Sequence, residues 1–242
     1  MAMVALETAT ETVGVAVRSP AGLDAEFALT GRRRHVETLT PALAHLLGQV
    51  ELAPTDLGVV AVDVGPGLFT GLRVGVAAAK GLAQSLGIGV VCATSLEILT
   101  AAAAAAGHDG PVLACVDARR GEVFASVHGA RRDAVSHHSV SDARIGAALF
   151  TPAALVAALR RLGGTEVLAV GDGAVRYADT LATVSGVDVL TSALTFPPPR
   201  VLLDLTAARL DEGETPFAPA SVVPLYMREA DATSNFERAA RN

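Results

Sequence analysis

Four acidic residues at turns are the best candidates for chemistry in this sequence of 242 residues: Glu7, Asp63, Asp117 and Asp172. Each lies at the end of an apolar run of strand length, where a carboxylate can hold a phosphate group through a magnesium ion. A carboxylate in a turn more often caps the backbone N–H groups of that turn. The four acids are therefore compatible with two interpretations, a phosphate-binding site or a set of structural turns, and the sequence leaves both open.

The histidines have the wrong spacing for a metal site. They are His35, His45, His108, His128, His137 and His138. No two lie three or four residues apart, the spacing that places two ligands on one helix face. The adjacent pair would point to opposite sides of a strand. A Gly-x-Ser-x-Gly elbow and a Walker loop are also missing from the sequence. We therefore predict no metal, no cofactor, and no hydrolytic activity of the chain alone.

A glycine-rich stretch from Gly65 to Gly75 connects an apolar strand to a helix. The strand is predicted over Val59 to Val64, and Thr70 is the predicted N-cap of the helix. Such a loop presents backbone N–H groups that can hold an anion. The stretch has neither the Gly-Lys-Ser/Thr ending of a P-loop nor the G-x-G-x-x-G spacing. An anion site and a tight structural turn both remain open.

The helix predicted from Thr70 to Leu86 has small residues on one face, with Gly71, Gly75 and Ala79 at four-residue intervals. A glycine inside a helix costs about 1 kcal/mol relative to alanine. Two on one face therefore indicate that another backbone approaches closely. The helix is either a core element of one domain or half core and half partner interface.

The elements before residue 107 predict a mixed sheet. Three antiparallel strands are expected over Val4 to Leu6, Thr12 to Arg18 and Gly22 to Leu29. A helix over His35 to Val50 follows, in which Pro41 marks either a kink or the true first turn. The remaining elements are the Val59–Val64 strand, the Thr70–Leu86 helix, a strand over Ile88 to Cys92 and a helix over Ser95 to Ala106. This α/β order is that of one lobe of the ribonuclease H-like/actin-like ATPase superfold.

The second half partly repeats the first. A hairpin is predicted over Val112 to Asp117 and Glu122 to His128, with a third strand over Ala134 to Val140. Later elements are a helix from Pro152 to Leu162 capped by Thr151, a strand over Val167 to Val170, a helix around Ala174 to Leu181, a strand over Val187 to Leu190 and a helix over Arg200 to Leu210. We predict an N-terminal lobe over 1–106, a smaller C-terminal lobe over 107–213 and an extended return segment with a mobile tail over 214–242.

Composition limits the function further. Hydrophobic residues make up 51% of the chain, and the mean hydropathy is +0.44. No apolar stretch is long enough to span a bilayer, and no signal peptide is recognised, so we expect a cytoplasmic protein without membrane contact.

Cys92 and Cys115 lie in apolar runs and are expected to be reduced core residues. The formal net charge of −6 argues against strong, autonomous nucleic-acid binding.

Four motifs in chain order carry a family resemblance. They are Glu7-Thr8-Ala9-Thr10, the stretch from Gly65 to Gly75, Asp117-Ala118-Arg119-Arg120-Gly121-Glu122-Val123 and Pro224-Leu225-Tyr226-Met227-Arg228. Together they resemble the bacterial TsaB (YeaZ) family. The resemblance implies a non-catalytic accessory subunit for making threonylcarbamoyladenosine next to the anticodon of tRNA. It also implies a heterodimer with the related TsaD transferase, joined by the TsaE ATPase, tRNA contact only within that complex, and a homodimer of the isolated protein.

The resemblance also implies where sites lie. The partner interface falls on the helices His35 to Val50 and Thr70 to Leu86; its residues are His35, Leu39, Leu43, Leu46, Gly67, Phe69, Thr70, Gly71, Arg73, Val74, Gly75, Ala78, Lys80 and Leu82. Vestigial phosphate or nucleotide loops would contain Glu7, Thr8, Thr10, Asp117 and Gly171. Glu7 stands where Asp is usual in the family, and Leu68 where Ser is usual. Both departures weaken nucleotide binding, so we expect a narrow or empty cleft.

A second class of function remains open from the sequence. An actin-like small-molecule kinase or ATPase would use the hairpin turns at Glu7 and Asp117 as phosphate loops and Gly171-Asp172-Gly173 as the adenosine loop. The chain is short for such a kinase and has no obvious further carboxylate to serve as a base. ATP hydrolysis by the purified protein, lost in Asp117→Asn, would favour this alternative.

Overall fold

Two five-stranded sheets built in the same order form the framework of the protein. The structure is a computed structural model and describes residues 1–31, 34–130, 143–191 and 193–228. The first sheet contains β1 (Ala2–Glu7), β2 (Thr12–Arg18), β3 (Asp24–Thr30), β4 (Leu57–Asp63) and β5 (Gly89–Ala93). The second contains β6 (Gly110–Arg119), β7 (Glu122–Ala130), β8 (Ile145–Phe150), β9 (Val167–Val170) and β10 (Val187–Val189).

The two sheets have equivalent topologies. The first has the order β3-β2-β1-β4-β5 and the second β8-β7-β6-β9-β10, read from the antiparallel edge. In each, a three-stranded antiparallel meander is extended by two parallel strands. The register places Glu7 opposite Gly14 in one hairpin and Asp117 opposite Val123 in the other. This repeat confirms the predicted duplicated α/β fold of the ribonuclease H-like/actin-like type.

Seven helices cover the sheets in the described part of the chain. They are α1 (His35–Gln49), α2 (Phe69–Leu86), α3 (Ser95–Ala105), α4 (Pro152–Arg160), α5 (Asp172–Arg176), α6 (Ala178–Leu181) and α7 (Pro199–Asp211). The helices α1 and α2 pack on one face of the first sheet. On its other face lie α7 and one side of α3, whose opposite side packs on the second sheet. The helices α4 to α6 cover the far face of the second sheet. No helix of the described residues is both long and apolar enough for a membrane span.

The position of α7 corrects the predicted lobe boundary at residue 213. Its buried residues Leu202, Leu203 and Leu205 share a core with Ala5 and Val59 of the first sheet. The chain therefore returns to the N-terminal lobe before α7, and the second lobe ends earlier than the sequence predicted. A helix can join any apolar face that its own stripe complements, and sequence order does not decide which one.

The N-cap of α2 and the single helix predicted near residue 174 differ from the structure, the position of Pro41 is decided by it, and one predicted strand is outside the described residues. The third strand of the second sheet is β8, whereas the predicted strand over Ala134 to Val140 lies outside the described residues. The N-cap of α2 is Leu68 and makes no side-chain cap, so Thr70 lies inside the first turn. The helix α1 begins at His35, which places Pro41 in its interior. The single helix predicted around Ala174 to Leu181 is two short ones, α5 and α6.

The return segment, residues 214–228, crosses from the first lobe to the second. Phe217 pairs with Val90 of the edge strand β5 through two backbone hydrogen bonds of 2.8 and 3.0 Å. The N–H of Leu225 donates to the carbonyl of Val64 at 2.7 Å. Arg228 then contacts Glu122 and the Ala118 carbonyl in the second hairpin. The segment thus covers a sheet edge and connects both lobes.

Candidate functional site

Residues Glu7 to Thr10, at the end of β1 and in the turn that follows it, are buried. Glu7 and Thr8 have 0% exposure, and Thr10 has 2%. The Glu7 Oε1 atom accepts a hydrogen bond from the N–H of Ala9 at 2.8 Å, while its Oε2 atom has no partner among the described residues. The Thr8 hydroxyl donates to the Gly71 carbonyl at 2.8 Å. These side chains therefore make contacts within their own chain.

Glu7 and Asp63 form a buried carboxyl pair. Asp63 accepts hydrogen bonds from the Gly65 N–H at 2.7 Å and from the Ser95 hydroxyl at 2.8 and 2.9 Å. Burial, reinforced by the charge of Asp63, raises the pKa of Glu7 well above its usual range. Burial also raises the pKa of Asp63. Because two buried like charges repel strongly, each carboxylate makes ionisation of the other less favourable.

Glu7→Gln is expected to stabilise the protein at pH 8 by about 1–3 kcal/mol, the usual cost of an unsatisfied buried polar group. Glutamine keeps the acceptor for Ala9 and carries no charge beside Asp63. Since the pKa of Glu7 is raised in the folded state, native stability falls as pH rises above the unfolded pKa of about 4.3. The gain should therefore shrink towards pH 4. Urea unfolding between pH 4 and 8 measures it.

The exposed Glu11 of the same turn provides the control for that experiment. Its side chain is 51% exposed and pairs with Arg119. Glu11→Gln should leave the pH dependence of stability unchanged. An equal gain from Glu7→Gln at pH 4 and pH 8 would contradict the raised pKa of Glu7 in the folded protein.

The second hairpin turn is closed in a similar way. Asp117 is 4% exposed and accepts hydrogen bonds from the N–H and Nη1 of Arg119, both at 2.9 Å. Its own N–H donates to Asp172 at 2.9 Å, and burial raises the pKa of Asp172 to about 6. Gly171 has φ +102°, and a Cβ there would overlap the carbonyl oxygen of Cys115.

The two turns face each other, as the duplicated fold requires. Arg119 Nη2 of the second lobe lies 2.5 Å from Glu11 Oε1 of the first. The predicted nucleotide residues Glu7, Thr8, Thr10, Asp117 and Gly171 are thus close-packed turn residues. Among residues 1–31, 34–130, 143–191 and 193–228, no three His, Cys, Asp or Glu side chains form a group able to hold a metal ion.

The glycine stripe of α2 packs against the protein's own first turn. A Cβ at Gly67 would overlap the carbonyl of Ala9, one at Gly71 the carbonyl of Thr8, and one at Gly75 the hydroxyl of Thr8. The inference that a backbone approaches these glycines is correct, but that backbone belongs to the same chain. Gly71 and Gly75 are therefore core residues and cannot form a groove for a partner helix.

The other predicted interface residues divide by burial. His35, Leu39 and Leu46 are buried, and the His35 Nε2 atom lies 2.9 Å from the Thr10 carbonyl oxygen. Half-buried positions on the same two helices are Leu43, Val74, Ala78, Lys80 and Leu82, and the exposed ones are Phe69, Thr70 and Arg73.

A surface of small, uncharged residues remains on the outside of α1 and α2. This outer helix surface consists of the exposed residues Val36, Thr40, Ala44, Thr70, Ala77 and Gly81, and the exposed charged residues Glu37 and Arg73 lie on the same two helices. They lie at helical spacing on adjacent helices, and Val36 is 72% exposed. The predicted interface lies on these two helices, but several of the residues selected for it, such as Leu39 and Leu46, face inward.

The two cations of α2 hold the return segment. Lys80 Nζ donates to the carbonyls of Val222 at 2.8 Å and Ala220 at 3.2 Å. Arg73 Nε donates to the Tyr226 hydroxyl at 3.1 Å, and its guanidinium lies 3.8 Å from the centre of the Phe69 ring. Both side chains therefore position residues 220–226 along α2.

A pocket of about 520 Å³ lies between the start of α2, the second hairpin turn and the return segment. Its walls include Phe69, Phe124 and Tyr226, together with the charged residues Arg119 and Arg120. The motifs at Gly65 to Gly75, Asp117 to Val123 and Pro224 to Arg228 each supply part of it. Sequence reasoning singled out all three motifs but could not bring them together.

Comparisons with known proteins identify the family. A family model described as TsaD, tRNA N6-adenosine threonylcarbamoyltransferase, matches residues 29–232. A Bacillus subtilis (strain 168) tRNA threonylcarbamoyladenosine biosynthesis protein TsaB is 37% identical over 128 residues, which are 53% of this chain and 55% of that protein. The Escherichia coli (strain K12) protein of the same name is 28% identical over 228 residues, 94% of this chain and 95% of that protein. The chain belongs to the TsaB (YeaZ) family.

Solved structures agree with this TsaB-type fold. A Pseudomonas aeruginosa structure described as similar to peptidase YEAZ has a TM-score of 0.77 and 24% identity, over 94% of this chain and 99% of that one. A second structure, of YeaZ from the same organism, has a TM-score of 0.75 and 23% identity, over 93% and 99%. At this identity the two structures support the shared TsaB-type fold alone.

Proposed function

We propose that this TsaB-family protein is a non-catalytic subunit in the synthesis of threonylcarbamoyladenosine in tRNA. It would form a heterodimer with a TsaD-family transferase and activate it. A TsaE-type ATPase would join the pair, and intact tRNA would be bound as a substrate only by the assembled complex. In isolation the protein would pair with a second copy through the same surface.

One observation carries the proposal: α1 and α2 expose a surface made mostly of small residues, whereas the turn carboxylates Glu7 and Asp117 are buried. Few charged residues in a surface on adjacent helices are typical of the core of a protein–protein interface. The TsaD family model matches this chain as well, so the transferase should present related helices. A pair of helices from each partner would bury roughly 1,200–2,000 Å², the range of a standard specific interface.

The burial of the two turn carboxylates favours a subunit over an actin-like kinase or ATPase. A kinase needs phosphate loops that an ATP molecule can reach, but Glu7 is 0% and Asp117 4% exposed. The two turns also contact each other through Arg119 and Glu11. Activation would therefore act on the partner's site, by holding the transferase in its competent conformation.

Reconstitution tests the proposal. The transferase of the same cell, an ATPase subunit and unmodified tRNA are combined with and without this protein, and threonylcarbamoyladenosine is quantified by mass spectrometry. Addition of this protein is expected to raise the rate at least about 10-fold, equivalent to about 1.4 kcal/mol. The protein alone should yield no product. An unchanged rate, together with no co-purification of the transferase, would reject the proposal.

A further inference from the structure

The pocket beside α2 is unusual in composition for this protein. The chain has seven Phe, two Tyr and no Trp, yet Phe69, Phe124 and Tyr226 all line this one pocket. Phe69 and Tyr226 are 44% and 45% exposed, with ring centres 5.2 Å apart. The Arg73 guanidinium lies against the Phe69 ring. Exposed rings and arginine planes in such an arrangement offer surfaces for stacking a flat ligand.

The walls of the pocket are rich in arginine, although Arg119 pairs with Glu11 and Arg228 pairs with Glu122. Its walls include Arg119, Arg120 and Arg228 and one acid, Asp117, whereas the chain has a formal net charge of −6. Asp117 is already neutralised by Arg119 and lies 3.5 Å from Arg176. A guanidinium has five N–H donors, so an arginine that pairs with one or two carboxylates can still bind a phosphate.

The second hairpin turn holds its arginines in an uncommon backbone conformation. Arg119 and Arg120 have φ of +63° and +55°, a region that costs an L-residue about 1–2 kcal/mol. The bonds from Arg119 to Asp117 and Glu11 hold the turn in place. This geometry brings two consecutive arginines to the wall of the pocket.

We propose that this pocket binds a nucleotide unit of single-stranded RNA, with its base on Phe69 and Tyr226 and its phosphate on Arg119 and Arg120. Unpaired RNA bases are recognised by stacking on aromatic rings and arginine planes, beside cationic contacts to phosphate. The volume of about 520 Å³ is in the range of small-molecule sites and accommodates one nucleotide. The inference deepens the proposed function, on which it rests for the identity of the RNA as tRNA.

RNA binding by the isolated protein tests the site independently of any partner. Fluorescein-labelled oligoadenylate of ten nucleotides is titrated at low salt and followed by anisotropy. Tyr226→Ala should weaken binding about 5- to 150-fold, the effect of losing one base–aromatic stack. Tyr226→Phe keeps the ring but not the bond to Arg73, and should bind like the wild type. Arg120→Gln should weaken binding and reduce the slope of log affinity against log salt by about one.

Matched controls lie elsewhere on the protein. Phe217 is 48% exposed on the return segment and does not line the pocket, and Arg160 is exposed on α4. Phe217→Ala and Arg160→Gln should leave RNA affinity unchanged. Absence of RNA binding by the wild type, equal losses in the controls, or tighter binding of ATP than of the oligonucleotide would each overturn the assignment.

Phe69 and Arg73 also belong to the predicted partner surface, so the pocket could be occupied by the transferase instead of RNA. A measurement of transferase affinity distinguishes these two occupants. Tyr226→Ala and Arg120→Gln should bind the transferase as the wild type does while the complex loses affinity for tRNA. Loss of transferase binding with RNA affinity retained would make the pocket a protein contact. If the wild type binds RNA but no transferase, the proposed function fails and the RNA site stands.

Discussion

Gly71→Ala is expected to destabilise the protein by about 3 kcal/mol, whereas Gly81→Ala in the same helix should stabilise it by about 1 kcal/mol. The added methyl at Gly71 would overlap the Thr8 carbonyl oxygen, and a backbone cannot move aside as a flexible side chain can. At Gly81, no heavy atom lies within 4 Å of the added Cβ, so only the gain in helix propensity remains. Urea denaturation of both variants measures the two effects.

The opposite signs make this pair of variants decisive. A general intolerance of α2 to substitution would make both variants less stable, and a partner-facing glycine stripe would leave both monomers intact. A wild-type midpoint for Gly71→Ala would contradict the packing of α2 on the first turn. Gly75→Leu should also disrupt the monomer, because its side chain would collide with Thr8.

Ala77→Glu is expected to weaken association with the TsaD-family transferase at least about 100-fold and leave the fold unchanged. Ala77 is exposed at the centre of the α2 part of the outer helix surface. If that surface is buried in the heterodimer, an unpaired carboxylate there loses its hydration, which costs several kcal/mol. Calorimetric titration of the purified subunits measures the effect. The same change should abolish self-association of the isolated protein.

A helix on the opposite lobe provides the control. Ala157 is an exposed alanine of α4, on the far face of the second sheet. Ala157→Glu adds the same charge to the same kind of site and should bind the transferase normally. If both variants bind equally well, the interface lies away from α1 and α2. If both bind poorly, the effect is one of net charge.

Local sequence signals predicted most of the elements because their causes are local. Alternating or continuous apolar runs located nine of the ten strands found in the described part of the chain. Thr151 caps the helix that begins at Pro152 and accepts a hydrogen bond from the Ala154 N–H at 3.2 Å. The strand β8, Ile145–Phe150, was missed because alanine and glycine weaken its strand signal. The sequence placed the N-cap of α2 at Thr70, whereas the structure has Leu68 there. The Leu68 N–H donates to the backbone carbonyl of Ala9, so the start of α2 does not depend on a capping side chain that the sequence could reveal.

The sequence by itself determined the duplicated α/β order, the two hairpin turns with their acids, and the helices that carry the candidate interface. Only the tertiary structure decided what those residues touch. The spacing of the α2 glycines predicts that another backbone packs closely against them, but it is the same whether that backbone belongs to a partner or to Thr8 of the same chain. The acids at the turns could bind a phosphate or be buried as Glu7 is. Arg120, Phe69 and Tyr226 share a pocket only because the lobes and the return segment meet there. Periodicity is a property of neighbours along the chain, whereas a site is made by residues far apart in sequence that folding brings together.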